Sequence, residues 1–152
     1  MAFNIRVYGI LINDKQEVLL SDERRVGKEF TKFPGGGLEL GEGIKDCLIR
    51  EFDEELNLKI EVGELLYLTD FYQKSAFNED DQIISIYYFV NTIEPQSIKT
   101  NSLPFDFEKD AIEAHRWKSL KNIVKEDLTF PIDQKVVEML KRGGNEVYAN
   151  RF

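Results

Sequence analysis

The sequence is sparing with several residue types: one cysteine, one histidine, one tryptophan and four prolines in 152 residues. The lone cysteine, Cys47, excludes an internal disulfide, and its place beside apolar helical residues reads as a buried, inert thiol rather than a nucleophile. The lone histidine, His115, has no serine or cysteine partner in pattern, so a nucleophile–base relay cannot be assembled; a structural or surface role is expected for it. No apolar run approaches the length of a membrane span, and the N-terminus lacks the hydrophobic stretch of a signal peptide, so a cytoplasmic protein is expected. Neither the phosphate-loop pattern G-x-x-x-x-G-K-[ST] nor the calcium-loop pattern D-x-[DN]-x-[DN]-G occurs. Repeats, low-complexity tracts and linkers are absent too, and the length suits one domain spanning residues 1–152.

Positive charge is also short. Twenty Lys and Arg face 28 Asp and Glu, a net charge of −8. That balance argues against binding duplex nucleic acid or anionic membranes. It leaves an anionic substrate open, because bound cations invert the local field.

What the sequence does hold is concentrated between Phe33 and Leu58: F-P-G-G-G-L-E-L-G-E-G-I-K-D-C-L-I-R-E-F-D-E-E-L-N-L. Three consecutive glycines, Gly35, Gly36 and Gly37, lead toward a helix expected from Ile44 to Leu56. Such a loop leaves backbone N–H groups free to meet phosphate oxygens. On the helix, Leu48, Ile49, Phe52 and Leu56 form the apolar stripe, while Glu51, Glu54 and Glu55 share a neighbouring face. Like charges at those spacings, near the end where the helix dipole disfavours anions, break two local rules at once. Arg50 can neutralise Glu54 four residues on, and a magnesium ion with its oxygen ligands would account for the rest.

Around this stretch, strands are expected at 4–13, 17–21, 30–33, 58–62, 65–72, 82–91 and 114–120. A short helix is expected within 119–127, and a final one over 132–141, opened by Pro131 and closed by Gly143-Gly144. The polar segment from Ser21 to Glu29 has two readings: a solvated loop, or one from which Arg24 or Arg25 reaches a substrate phosphate. Trp117 is expected in the core, and Tyr87, Tyr88 and Phe89 alternate along a strand. Strands joined by hairpins and mixed with two or three helices indicate an α/β layered fold with a mixed sheet.

Gly36, five residues, Glu42, seven residues, then Arg50-Glu51-Phe52-Asp53-Glu54-Glu55-Leu56-Asn57-Leu58 resembles the signature box of the Nudix hydrolases. The family pattern is G, five, E, seven, R-E-(apolar)-x-E-E-x-G-(apolar), and one position departs from it. Asn57 stands where the family has glycine, and asparagine also tolerates the left-handed conformation that ends a helix.

The resemblance implies an α/β/α sandwich and one or more Mg²⁺ ions, with Mn²⁺ as a substitute. The ions would be held by Glu51, Glu54, Glu55 and the carbonyl of Gly36, with Arg50 orienting the carboxylates and Glu42 mainly structural. It implies hydrolysis of a diphosphate linkage in a nucleoside diphosphate joined to another group, a small-molecule phosphate substrate, and a family in which homodimers are common. The base is the counterpart of Glu51 or an acid further along; where relatives often carry a glutamate six positions before Trp117, this chain has Ala111, and Asp110 and Glu113 are the nearest replacements. That substitution also keeps a second reading in view, a Nudix-fold domain that binds a nucleotide or sugar nucleotide as a sensor with little turnover. The absence of proline between Pro34 and Pro95 counts against ADP-ribose, Tyr72 gives weak support to dinucleoside polyphosphates, and no coenzyme A signature precedes the box. Nucleoside triphosphates, oxidised nucleotides and nucleotide sugars stay open.

Overall fold

A computed structural model describes residues 1–143. Its elements in chain order are β1 (Phe3–Leu11), β2 (Glu17–Arg25), β3 (Lys28–Lys32), β4 (Gly35–Gly37), α1 (Ile44–Leu56), β5 (Glu61–Leu68), β6 (Gln82–Asn91), β7 (Glu113–Ser119) and α2 (Pro131–Gly143). The result is a mixed α/β chain, as its strand and helix periodicities require. It divides into two compact units: Met1–Ile10 with Gly35–Ile93, and Leu11–Pro34 with the described residues from Glu94 on.

The first unit holds a four-stranded sheet in the order β4-β1-β6-β5. β1 and β6 are rich in β-branched and aromatic residues, and Val7, Ile10, Tyr87 and Val90 on them are fully buried. α1 turns Cys47, Leu48 and Phe52 inward. A Cβ added at Gly9 of β1 would come within 2.7 Å of the Phe52 ring, so glycine there lets the helix approach the strand closely. Ile49, expected on this stripe, is instead 43% exposed, because the buried arc runs from Cys47 to Phe52 around the helix and turns Ile49 outward. Asn57 ends the helix as expected, at φ 48° and ψ 42° in the left-handed region, and its N–H donates to Asp53 O.

The triglycine segment differs from the expected loop. It is a short strand, with Gly36 opposite Val7 and Gly35 opposite Tyr8. The two strands expected between 58 and 72 are one, β5, whose pairing with β6 shifts register between Val62 and Leu65 and again between Leu65 and Tyr67.

The second unit holds a three-stranded antiparallel sheet in the order β3-β2-β7. The segment from Ser21 to Glu29 is a hairpin rather than a loop. Arg25 pairs with Lys28, and Val26 and Gly27 turn the chain at φ 50° and 73°, both positive as a type I′ turn requires. Asp22 on β2 is buried and accepts from Arg116 Nε at 2.8 Å and from the Thr31 hydroxyl at 2.6 Å, which ties all three strands together. The apolar face of α2 buries Ile132, Val136, Val137 and Leu140. Pro131 opens that helix and Gly143 is its last described residue; Gly144 lies outside the described residues. Trp117, expected in the core, is only half-buried. The short helix expected within 119–127 is a single 3₁₀ turn, Lys125–Asp127. No helix among the described residues is long and apolar enough to cross a membrane.

Candidate functional site

Helix α1 begins without a side-chain cap and has no basic residue in its last turn. Its carboxylates at positions 51, 54 and 55 therefore gain nothing from the helix dipole. Arg50 supplies the local compensation. Its Nε and Nη2 donate to the two oxygens of Glu42 at 2.9 and 2.7 Å, its Nη1 to Glu51 at 3.0 Å and Glu54 at 3.2 Å, and its Nη2 also to the carbonyl of Gly37 at 3.1 Å. The i+4 pair with Glu54 that helical spacing suggested is formed, and the shorter contact is to Glu42.

These bonds set the charge states. The Arg50 guanidinium, with help from the Glu39 N–H, holds the Glu42 carboxyl down at about 2. Glu42 in return raises the affinity of Arg50 for its proton. Burial, and then the neighbouring Glu42, push the Cys47 thiol up to about 12, and its sulfur sits 3.5 Å from Gly37 O. One guanidinium touches four carboxylates, Glu39, Glu42, Glu51 and Glu54, which leaves a formal excess of three negative charges. A cluster of that sign calls for a cation.

Gly36 makes room for the Glu51 carboxylate. A Cβ built on Gly36 would overlap all three atoms of the Glu51 carboxyl group, so the residue is glycine because the carboxylate lies directly against its backbone. Glu51 is 12% exposed in its side chain and Glu54 58%, so the face grades from sheltered to open. Carboxylate oxygens graded in this way are a donor set that divalent cations take. A sequence model of the NUDIX domain matches residues 2–140, most of the chain and parts of both units. The chain belongs to the NUDIX family.

Among NUDIX relatives it is similar to the mouse protein named nucleoside diphosphate-linked moiety X motif 6, with 30% identity over 132 residues, 86% of this chain and 39% of that protein. The chain therefore spans about two fifths of that mammalian relative's length. It is 28% identical over 129 residues to a protein of Methanocaldococcus jannaschii named ADP-ribose pyrophosphatase, covering 76% of this chain and 75% of that one. Its fold is that of a solved NUDIX hydrolase from Nitrosomonas europaea, at TM-score 0.68 and 20% identity, over 93% of this chain and 90% of that one.

The residues expected to act in this NUDIX chain fall into the two units. Gly35, Gly36, Gly37, Glu42, Arg50, Glu51, Glu54 and Glu55 are in the first, and Arg24, Arg25, Asp110 and Glu113 are in the second. Arg24 is committed to its own unit. Its Nε donates to Ala111 O at 2.6 Å, its Nη2 to Glu108 O at 3.3 Å, and its guanidinium lies 4.6 Å from the centre of the Phe107 ring. It fixes the segment leading into β7. Arg25 is exposed at the end of the hairpin. Asp110 is exposed in a left-handed conformation at φ 66°, and Glu108 is exposed and paired with Lys99. Glu113 is half-buried at the start of β7, opposite Glu23.

His115 is the residue whose environment the sequence did not reveal. It is 8% exposed and its Nε2 is buried without a hydrogen-bond partner. Burial, and then the charge of Lys32, hold the imidazole neutral down to about 4. The signal that could have marked it is the spacing Glu113-x-His115, which in a strand places both side chains on one face.

Proposed function

We propose that this chain hydrolyses the diphosphate linkage of a nucleoside diphosphate joined to another moiety, using a divalent cation held by Glu51, Glu54, Glu55 and the carbonyl of Gly36. The observation that carries this reading is the seating of the Glu51 carboxylate against Gly36, beside an arginine already saturated with acids. The donors are all hard oxygens, which fits Mg²⁺, with Mn²⁺ as a substitute. When bound, the ion neutralises charge on phosphate oxygens and acidifies a water molecule.

The chain's own groups do the remaining work. Arg50 holds Glu51 and Glu54 in one orientation and ties the Gly37–Glu42 segment to the helix. Of the three glycines proposed to meet substrate phosphate, Gly35 and Gly36 are buried against Tyr8 and Glu51, and Gly37, where an added Cβ would meet only Arg6, is the one favoured for the contact. Glu113, and next to it Asp110, are proposed for the second acidic contribution, Glu113 being favoured because a strand fixes it. Arg24 is proposed to position the 107–111 segment, and Arg25, exposed at the end of the hairpin, is proposed for a substrate phosphate.

The substrate panel should hold nucleoside triphosphates, oxidised nucleotides, nucleotide sugars and dinucleoside polyphosphates. It should also hold ADP-ribose, the compound for which the archaeal relative is named, although the absence of proline between Pro34 and Pro95 counts against it. Each compound is incubated with and without Mg²⁺, and the products are identified by mass. The expected result is Mg²⁺-dependent cleavage of at least one compound, reduced about 100-fold or more by Glu54→Gln. Undiminished turnover by Glu54→Gln would refute the metal assignment. Binding of a nucleotide with no turnover would favour the sensor reading.

A further inference from the structure

Glu113 and His115 sit two positions apart on β7, so their side chains leave the same face of the strand. A carboxylate oxygen of the first and a ring nitrogen of the second lie within 4.8 Å of each other. Buried polar atoms are nearly always satisfied, and an orphaned one in a native fold points to a missing water or ion. The buried Nε2 of His115 is such an atom, since no hydrogen-bond partner reaches it among the described residues.

The same face supplies the surroundings. Ser21 of β2 stands opposite His115 and Glu23 opposite Glu113, with Lys32 of β3 opposite Ser21. Lys32 is the nearby cation that would oppose a metal. It is drawn onto Glu23 at 2.8 Å, and the Ser21 hydroxyl donates to that same carboxylate at 3.1 Å. Burial keeps the imidazole unprotonated at neutral pH, so a lone pair is available without competition from a proton.

We propose that Glu113 and His115 form a cation-binding pair on β7, taking Mn²⁺, Co²⁺ or Zn²⁺ in preference to Mg²⁺. Imidazole nitrogen suits those ions, whereas Mg²⁺ keeps to oxygen and water. The α1 carboxylates offer oxygen only, whereas the pair offers an imidazole nitrogen and so a different selectivity. It also gives the second acidic contribution proposed above a definite form, with Glu113 as a ligand, and it rests on that reading only for its link to turnover.

The chain's single histidine makes the test specific. Untagged protein is loaded with Mn²⁺ and measured by electron spin-echo envelope modulation, which detects a nitrogen bound to the ion. The expected result is a ¹⁴N modulation that changes to the ¹⁵N pattern when histidine alone is ¹⁵N-labelled, a readout that needs no variant. His115→Gln should abolish it, and Glu113→Gln should weaken Mn²⁺ binding about 10-fold or more. Glu54→Gln, which removes one α1 carboxylate, should lower turnover and retain the nitrogen signal, so failure of the catalytic reading and failure of this one are seen separately. No nitrogen modulation in the wild-type protein at saturating Mn²⁺, or a label-insensitive one, overturns the proposal.

Discussion

Arg50 and Glu42 meet fork to fork: Nε and Nη2 of the arginine each donate to a separate oxygen of the carboxylate, at 2.9 and 2.7 Å. This two-point bond joins helix α1 to the segment before it and fixes the guanidinium so that Nη1 points at Glu51 and Glu54. A lysine would keep the charge but lose the fork. Arg50→Lys is expected to lower turnover about 10-fold or more and to cost about 1–2 kcal/mol in urea unfolding. Equal activity and stability in the lysine variant would show that charge alone suffices.

Gly36→Ala places a methyl group where the Glu51 carboxyl group lies. The carboxylate must swing away or the strand must shift, at a cost of about 1–3 kcal/mol. Calorimetric titration should show Mg²⁺ affinity falling about 10-fold or more, with the far-ultraviolet circular dichroism of the native fold retained.

His115 makes stability depend on pH in a definite direction. Its folded-state pKa of about 4 lies below the ordinary 6.5, so between those values the unfolded chain binds the extra proton. Stability is therefore full above about pH 6.5 and falls as the pH drops through 4, by about 3 kcal/mol from this group. Urea midpoints measured in EDTA should follow that course in the wild type and flatten in His115→Gln. The histidine ring protons should titrate near 4 by nuclear magnetic resonance.

Val26 is a β-branched residue held at φ 50° in an exposed two-residue turn. That conformation is unfavourable for valine and common for asparagine. Val26→Asn should stabilise the protein by about 0.5–1 kcal/mol, read as a rise in melting temperature without change in activity.

The same valine explains why the β2–β3 hairpin was not legible in the sequence. A type I′ turn announces itself by Asn-Gly or Asp-Gly, and here Val26-Gly27 sits between two charged stretches with no apolar alternation. The strand continues through Asp22 because Arg116, 94 positions away, satisfies the buried acid, a partnership no local pattern announces. Helix α1 and strand β6 were legible to the residue, since each carries its own periodicity and, for α1, its own left-handed terminator at Asn57. Of the candidate site, helix spacing puts Arg50 beside Glu54, whereas the place of Gly36 near Glu51 was implied only by the resemblance to the signature box. The commitment of Arg24 to Ala111 and Glu108, and the orphaned nitrogen of His115, depend on chain crossings between distant segments.

The central claim is that the α1 carboxylates grip a divalent cation. Crystals grown with Mn²⁺ and measured at the manganese absorption edge test it most directly. The account predicts an anomalous peak bonded to oxygens of Glu51, Glu54 and Glu55. A well-diffracting crystal with no peak there, and with those glutamates turned to solvent, would contradict it.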